Sequence, residues 1–239
     1  MYDFSGKVAL ITGASRGIGS ALAHALASEG ANLCLVARDA EAVRNTAYDA
    51  RRAFGVDAMG RACDIRDAKR VSDLVNEAMT RFGRIDLAIN NAAVLGQMAP
   101  VHEYSPDQWP STFATNLHGA FHVARYVIPK MTENGGGRIV FVGSSVGRSM
   151  RAGWGAYAVS KWALEGMMQL IALESEQTKV TSCSINPGGA ATMMRRAAYP
   201  QEDQGQLPSP DQVAQAFLKI LRLPDKALNG RAFNARDPL

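Results

Sequence analysis

KVALITGASRGIG, Lys7 to Gly19, decides how this chain folds. Its first part, KVALIT (Lys7 to Thr12), is a short continuous apolar run, the pattern of a strand buried on both faces. Three glycines follow, Gly13, Gly17 and Gly19, and IGSALAHALASEG then repeats apolar residues at helical spacing as far as Gly30. Glycine lets a backbone turn tightly and approach a pyrophosphate closely. A helix N-terminus just beyond presents N–H groups and a partial positive charge. Alone, such glycines make only a tight turn; between a strand and a helix they point to a dinucleotide.

The alternation continues along the chain. NLCLVA reads as a strand, a helix begins near Asp39, and DAMGRACD is a third strand before a helix of about Ala68 to Phe82. IDLAIN (Ile85 to Asn90) is a fourth strand, followed by one long helix over roughly Pro106 to Glu133. GRIVFVGS, a helix over Ala156 to Glu176, and the strand KVTSCSIN complete the pattern. Short apolar strands between amphipathic helices predict an α/β fold: a doubly wound parallel sheet of about seven strands with helices on both faces. One domain is expected over 1–239, with a cofactor half of about 1–95 and a catalytic and substrate half of about 96–239. Ligands of such sheets bind beyond the carboxyl ends of the strands, and the unusual residues of this chain fall there.

Composition narrows the functions. Of 239 residues, 47% are hydrophobic and 20% charged, which suits one globular domain with a sizeable core. The net charge of +4 is spread along the chain rather than gathered into a basic stripe with aromatics, so nucleic-acid binding is not expected. Cys34, Cys63 and Cys183 are odd in number and widely spaced, and each sits in a strand-like run. They read as buried thiols in a reducing compartment, and no pair has metal-ligand spacing. MYDFSGKVALITG contains no apolar run long enough for a signal peptide or a membrane span, so a cytoplasmic protein without a membrane partner is expected.

The second strand ends in LVARD. An acid at this end would bind the 2′-hydroxyl of NAD; here Ala37 occupies the place, Arg38 follows, and Arg16 lies in the glycine turn. Two guanidiniums near one ribose suit a 2′-phosphate, which favours NADP(H). Asp39 either binds the ribose or caps the next helix. Asp64, in CDI, is placed to accept from the adenine amino group or to cap a turn. NNAA, Asn90 to Ala93, puts two amides at the fourth strand end.

GSSVGRSMRAGWGAYAVSK, Gly143 to Lys161, places serines, Tyr157 and Lys161 together at the fifth strand end. Tyr157 and Lys161 are four residues apart and share a helix face. An ammonium beside a phenol lowers its pKa, and a tyrosine tuned toward neutrality works as a general acid or base. A serine hydroxyl can hold a carbonyl oxygen as charge develops on it. Together these groups move a proton to or from a carbonyl or alcohol oxygen while a nicotinamide moves the hydride.

TGASRGIG and YAVSK resemble the TGxxxGxG and YxxxK motifs of the short-chain dehydrogenase/reductase family, a single-domain Rossmann fold, over nearly the whole chain. The resemblance implies Tyr157 as acid/base and Ser144, thirteen residues before it, as the hydroxyl that orients the substrate. It implies that Lys161 binds the nicotinamide ribose and lowers the tyrosine pKa, and that Asn116 helps hold a water in a proton relay. It implies Pro187, Gly188 and Thr192 of NPGGAAT on the nicotinamide side. The expected cofactor contacts in the first half are Gly13, Ser15, Arg16, Gly17, Ile18 and Gly19, then Arg38, Asp64, Ile65, Asn90 and Ala92. Ala93 stands where the family usually has glycine, a change of small consequence if the backbone there is not left-handed.

The wording around these motifs is similar to a bacterial branch of mostly uncharacterised oxidoreductases of the family. The expected activity is NADPH-dependent reduction of a ketone or aldehyde, reversible as an alcohol dehydrogenase. The alternatives are a 3-oxoacyl thioester reductase, against which the short proline-bearing lid at 193–210 argues, and a non-catalytic nucleotide-binding scaffold. Arg195 and Arg196 at the start of the lid are candidates for contacting an anion, against a bland reading as surface charge. Trp154 either stacks on a substrate or packs. The family resemblance further implies a homodimer or homotetramer joined through the two long helices.

Overall fold

Parallel pairing needs a crossover after every strand, and this chain supplies helices for the task. The computed structural model describes residues 2–237. The first half runs β1 (Val8–Thr12), α1 (Gly17–Ser28), β2 (Asn32–Ala37), α2 (Ala40–Phe54), β3 (Ala58–Ala62), α3 (Ala68–Phe82) and β4 (Leu87–Asn90). The second half begins with α4 (Gln108–Phe113), a π-helical turn (Ala114–His118) and α5 (Gly119–Glu133), and reaches β5 (Gly137–Val142) and α6 (Gly155–Leu173). It closes with α7 (Ser175–Thr178), β6 (Val180–Asn186), α8 (Met193–Ala198), α9 (Pro210–Leu221), α10 (Asp225–Leu228) and β7 (Arg231–Asn234).

The seven strands lie in the order β3-β2-β1-β4-β5-β6-β7, and each neighbouring pair is parallel. Successive strand residues face opposite layers, so each strand feeds two cores. Ala9, Ile11, Leu33 and Leu35 pack under α1, α2 and α9. Leu10, Cys34, Val36, Ile139 and Phe141 pack on the opposite side, under α3, α5 and α6. This is why every residue of β1 and β6 is buried and why those segments read as unbroken apolar runs. All three cysteines are buried free thiols.

Two expected helices differ. The single helix predicted over Pro106 to Glu133 is broken by the π-helical turn, and the helix expected to reach Glu176 stops at Leu173 before the short α7. A five-residue π turn leaves no mark on a hydrophobic period read over three or four turns. The third strand stops at Ala62, so Cys63 to Ile65 form the turn beyond it.

Phe141 is fully buried at the centre of the α3/α5/α6 layer. Phe141→Ala is expected to cost about 4 kcal/mol of stability, measured by denaturant titration, through lost burial and the cavity left behind.

Candidate active site

A cleft of about 760 Å³ runs across the carboxyl edge of the sheet where the strand order reverses between β1 and β4. Its floor begins at the glycine turn. Gly13 has φ +66°, and a Cβ at Gly19 would stand 2.2 Å from the Gly13 carbonyl oxygen, so only glycine lets α1 start this close to β1. Helices α2, α3, α8 and α9 begin with side-chain caps from Asp39, Asp67, Thr192 and Ser209. Helix α1 has no side-chain cap and no acid in its first turn, which leaves its N–H groups for an anion at the cleft floor. Ser15, Arg16, Gly17 and Ile18 line that floor. These observations fit a dinucleotide pyrophosphate.

Arg16 and Arg38 are both exposed and both line the cleft, Arg38 at the end beyond β2. Asp39 accepts a hydrogen bond from Ala42 N at 3.0 Å, the geometry of a helix cap. Asp64 lines the same end, with its carboxylate held by the Arg66 guanidinium at 2.5 to 3.0 Å and its Oδ1 accepting from Arg66 N at 3.0 Å. The Arg66 hydrogen bond keeps that carboxyl below its usual pKa. Ile65 lies beside it, against Gly119 at the start of α5.

At the end of β4 the structure corrects one expectation. Asn90 is buried in the core, on the face of Phe141, with neither its Oδ1 nor its Nδ2 hydrogen-bonded, and it does not line the cleft. Asn91 and Ala92 do. Asn91 Nδ2 donates to the carbonyls of Thr12 (2.9 Å) and Gly13 (3.1 Å), and Thr12 Oγ1 accepts from Asn91 N and Ala92 N at 3.1 and 3.0 Å. Ala93 is not left-handed, since Lys179 is the one non-glycine of positive φ among the described residues. Its methyl is therefore accommodated.

Tyr157 and Lys161 begin α6, 8% and 2% exposed. A Cβ at Gly147 would come within 2.7 Å of the Lys161 Cβ, so the turn after Ser144 and Ser145 packs its bare backbone on this helix. Lys161 Nζ donates to the Val142 carbonyl at 2.7 Å and lies 5.7 Å from the Tyr157 ring centre. Burial lowers its pKa to about 8, with Glu165 pulling the other way. The expected lowering of the Tyr157 pKa does not appear. Burial pushes the phenol up, and the Ser144 hydroxyl, hydrogen-bonded to it, opposes. Asn116, 1% exposed inside the π turn, donates from Nδ2 to Val94 O and to Ser160 Oγ, both at 3.0 Å, and its Oδ1 accepts from Val94 N at 2.8 Å.

Behind Lys161 lies an ion pair that composition did not suggest. Glu165 Oε1 accepts from Arg148 Nε at 2.9 Å, and its Oε2 accepts from Ser184 Oγ at 2.5 Å. Arg148 donates further to Phe233 O (3.0 Å) and Asn234 Oδ1 (2.9 Å). The serine-bearing turn, α6 and strands β6 and β7 are thereby tied together.

On the nicotinamide side Pro187 and Thr192 line the cleft, whereas Gly188 packs against Arg236 and is not part of the wall. Met193 and Met194, which no motif singled out, are part of it. Arg195 is engaged by Glu202 at 2.5 and 2.6 Å and does not line the cleft, nor does the exposed Arg196. The two arginines considered for an anion contact thus both stand outside the cleft wall. Trp154 packs between Tyr157 and Tyr199, at ring-centre distances of 5.6 and 5.9 Å.

Comparison with known proteins agrees with this arrangement. The family model for short chain dehydrogenases matches residues 7–203. The uncharacterised oxidoreductase YciK of Escherichia coli K12 is 34% identical over 96% of this chain and 92% of its own length. Two solved structures described as short chain dehydrogenases superpose closely. One, from Shigella flexneri and complexed with NADP, has a TM-score of 0.92 at 32% identity, covering 99% of this chain and 100% of its own. The other, from Escherichia coli CFT073 and complexed with NADPH, has a TM-score of 0.90 at 34% identity, covering 98% and 99%. The chain belongs to the short-chain dehydrogenase/reductase family and is an oxidoreductase of that family.

The buried ammonium gives a test of the site's electrostatics. A lysine whose pKa falls from 10.5 unfolded to about 8 folded destabilises the fold below pH 8, and the penalty is relieved as pH rises toward 10. Lys161→Met is therefore expected to melt higher relative to the native chain at pH 7 than at pH 10. Calorimetry across that range checks the sign, and a gap that widens with pH would contradict it.

Proposed function

We propose that this protein reduces a ketone or aldehyde to the alcohol with NADPH, and oxidises the alcohol with NADP in the reverse direction. The observation that carries the cofactor choice is that Arg16 and Arg38 both line the cleft, while Asp39 beyond β2 is committed to capping α2. Relatives of the same fold complexed with NADP and NADPH support it. When bound, the dinucleotide supplies the hydride to the carbonyl carbon or takes it back. Ser144 donates a hydrogen bond to the substrate oxygen, and Tyr157 delivers its proton to that oxygen. Burial keeps the phenol protonated at neutral pH, the form that carbonyl reduction consumes. The phenolate left behind faces the Lys161 ammonium, whose pKa of about 8 suits it to pass on a proton and recover one from solvent. Asn116 braces the loop at Val94 and the first turns of α6 through Ser160.

The whole chain serves as one catalytic domain in this reading. Among the described residues no helix is long and apolar enough to cross a membrane. The three buried thiols support a reducing, cytoplasmic setting. Phe121 on α5, and Trp162, Leu170 and Leu173 on α6, are large apolar side chains 48 to 81% exposed. Such a surface supports self-association through these two helices. Light scattering at micromolar concentration is expected to give at least twice the mass of one chain; a single-chain mass would overturn the association.

Fluorescence titration with NADPH and NADH in parallel tests the cofactor choice. NADPH is expected to bind at least about tenfold tighter, and Arg38→Ala to erase most of that margin, because charge-assisted contacts to a phosphate are lost. Tyr157→Phe should keep NADPH binding and lose about a thousandfold in kcat. No saturable binding of either dinucleotide would end the enzyme reading.

A further inference from the structure

The lid clasp bears on what the cleft admits. Arg195 is a lid cation beside the loop after Pro187, with its guanidinium 3.4 Å from where a Gly189 Cβ would stand and outside the cleft wall. The structure spends that charge inside the lid. Glu202 takes Nε and Nη2 in a two-pronged pair, and the guanidinium lies 3.8 Å from the Tyr199 ring centre. The hydrogen bond to Arg195 keeps the Glu202 carboxyl ionised, so the clasp carries a positive and a negative charge together. Arg236, the other cation beside this loop, donates to the Gly189 carbonyl and does not line the cleft.

Ser144 and Lys161 apart, the side chains against the phenol are apolar. Leu95, Trp154 and Met194 pack with Tyr157, and Trp154 touches Tyr199 beneath Arg195. Aromatic and thioether groups present broad, polarisable, uncharged surface. A substrate carboxylate seated against Leu95 and Met194 would lose water, and the Arg195 guanidinium, held by Glu202 outside the cleft wall, would not pair with it. Resting on the carbonyl-reductase reading above, we infer that the substrate is a neutral aldehyde or ketone carrying a flat apolar group, seated against Leu95 and Met194 of the cleft wall, and that the Arg195–Glu202 clasp disfavours its carboxylate analogues by keeping the lid's cation out of the cleft.

The test compares 4-methylbenzaldehyde with 4-formylbenzoate, which share the benzaldehyde ring and differ in the charge of the para group, by NADPH oxidation. The neutral aldehyde is expected to have a kcat/KM at least about tenfold higher, the usual reach of one pocket difference. Glu202→Gln, which releases the Arg195 guanidinium, should shift that ratio toward the carboxylate by about tenfold. Met194→Ala should raise KM for the neutral aldehyde more than it lowers kcat. A native enzyme that prefers the carboxylate, or a ratio unmoved by Glu202→Gln, would overturn the inference. A second readout does not need turnover: tryptophan fluorescence of Tyr157→Phe protein titrated with 4-methylbenzyl alcohol and 4-(hydroxymethyl)benzoate in the presence of NADP. Selective binding of the neutral alcohol without any NADPH oxidation by the native protein would keep the substrate class and sink the reductase reading. Turnover with the opposite charge preference would do the reverse, and failure of both readouts would remove both.

Discussion

Hydrogen bonds between Thr12 and Asn91 join the two strand ends from which the cleft opens. Strands β1 and β4 are parallel neighbours, yet one chain leaves into the glycine turn and the other into the loop toward α4. A sheet whose order reverses leaves a crevice at that point. The Thr12 hydroxyl accepts from two backbone N–H groups of the β4 end, and the Asn91 amide returns two bonds to the β1 end. These side-chain bonds hold the edges where no ladder can. They set where the α1 N-terminus stands relative to the loop that Asn116 anchors, and through Ser160 relative to α6.

The reactive end is organised at the expense of stability. An ammonium 2% exposed gives up most of its hydration and keeps one carbonyl partner and a carboxylate a turn away. That carboxylate is itself held by Arg148 and Ser184. A buried pair of this kind adds little net stability, but it fixes geometry. Here it locks the serine-bearing turn, the tyrosine-bearing helix and the last two strands into one frame. Asn90, with both amide atoms unpaired in the core, is a further local cost without a physical account in these contacts.

Much of this was legible in the chain, for reasons that can be named. Strand β1 and helix α1 were readable because backbone burial and helical periodicity act over several consecutive residues. Tyr157 and Lys161 were readable because helix geometry converts a spacing of four into a shared face. Asn90 reads as a cleft residue from sequence, whereas Asn91 lines the cleft. Strand parity separates them: Ala88 faces the same layer as Asn90, while Leu87 and Ile89 face the other. Sequence points to a lowered Tyr157 pKa because proximity to lysine is visible there, whereas burial, which dominates and raises it, is not. The π turn around Asn116 was invisible because one inserted residue does not disturb a periodic pattern on either side.

The sequence by itself determined the doubly wound sheet, the glycine cradle, the arginines in the glycine turn and beyond β2, and the tyrosine–lysine face. Each of these is encoded by neighbours in the chain, through residue size, backbone freedom and periodicity. Only the tertiary structure decided which charges remain available. Arg195 and Glu202 meet across a lid that has no regular period, and Arg148 reaches Glu165 and Asn234 from three separate elements. Electrostatic partnership depends on distance and burial in space, and neither is written in local spacing.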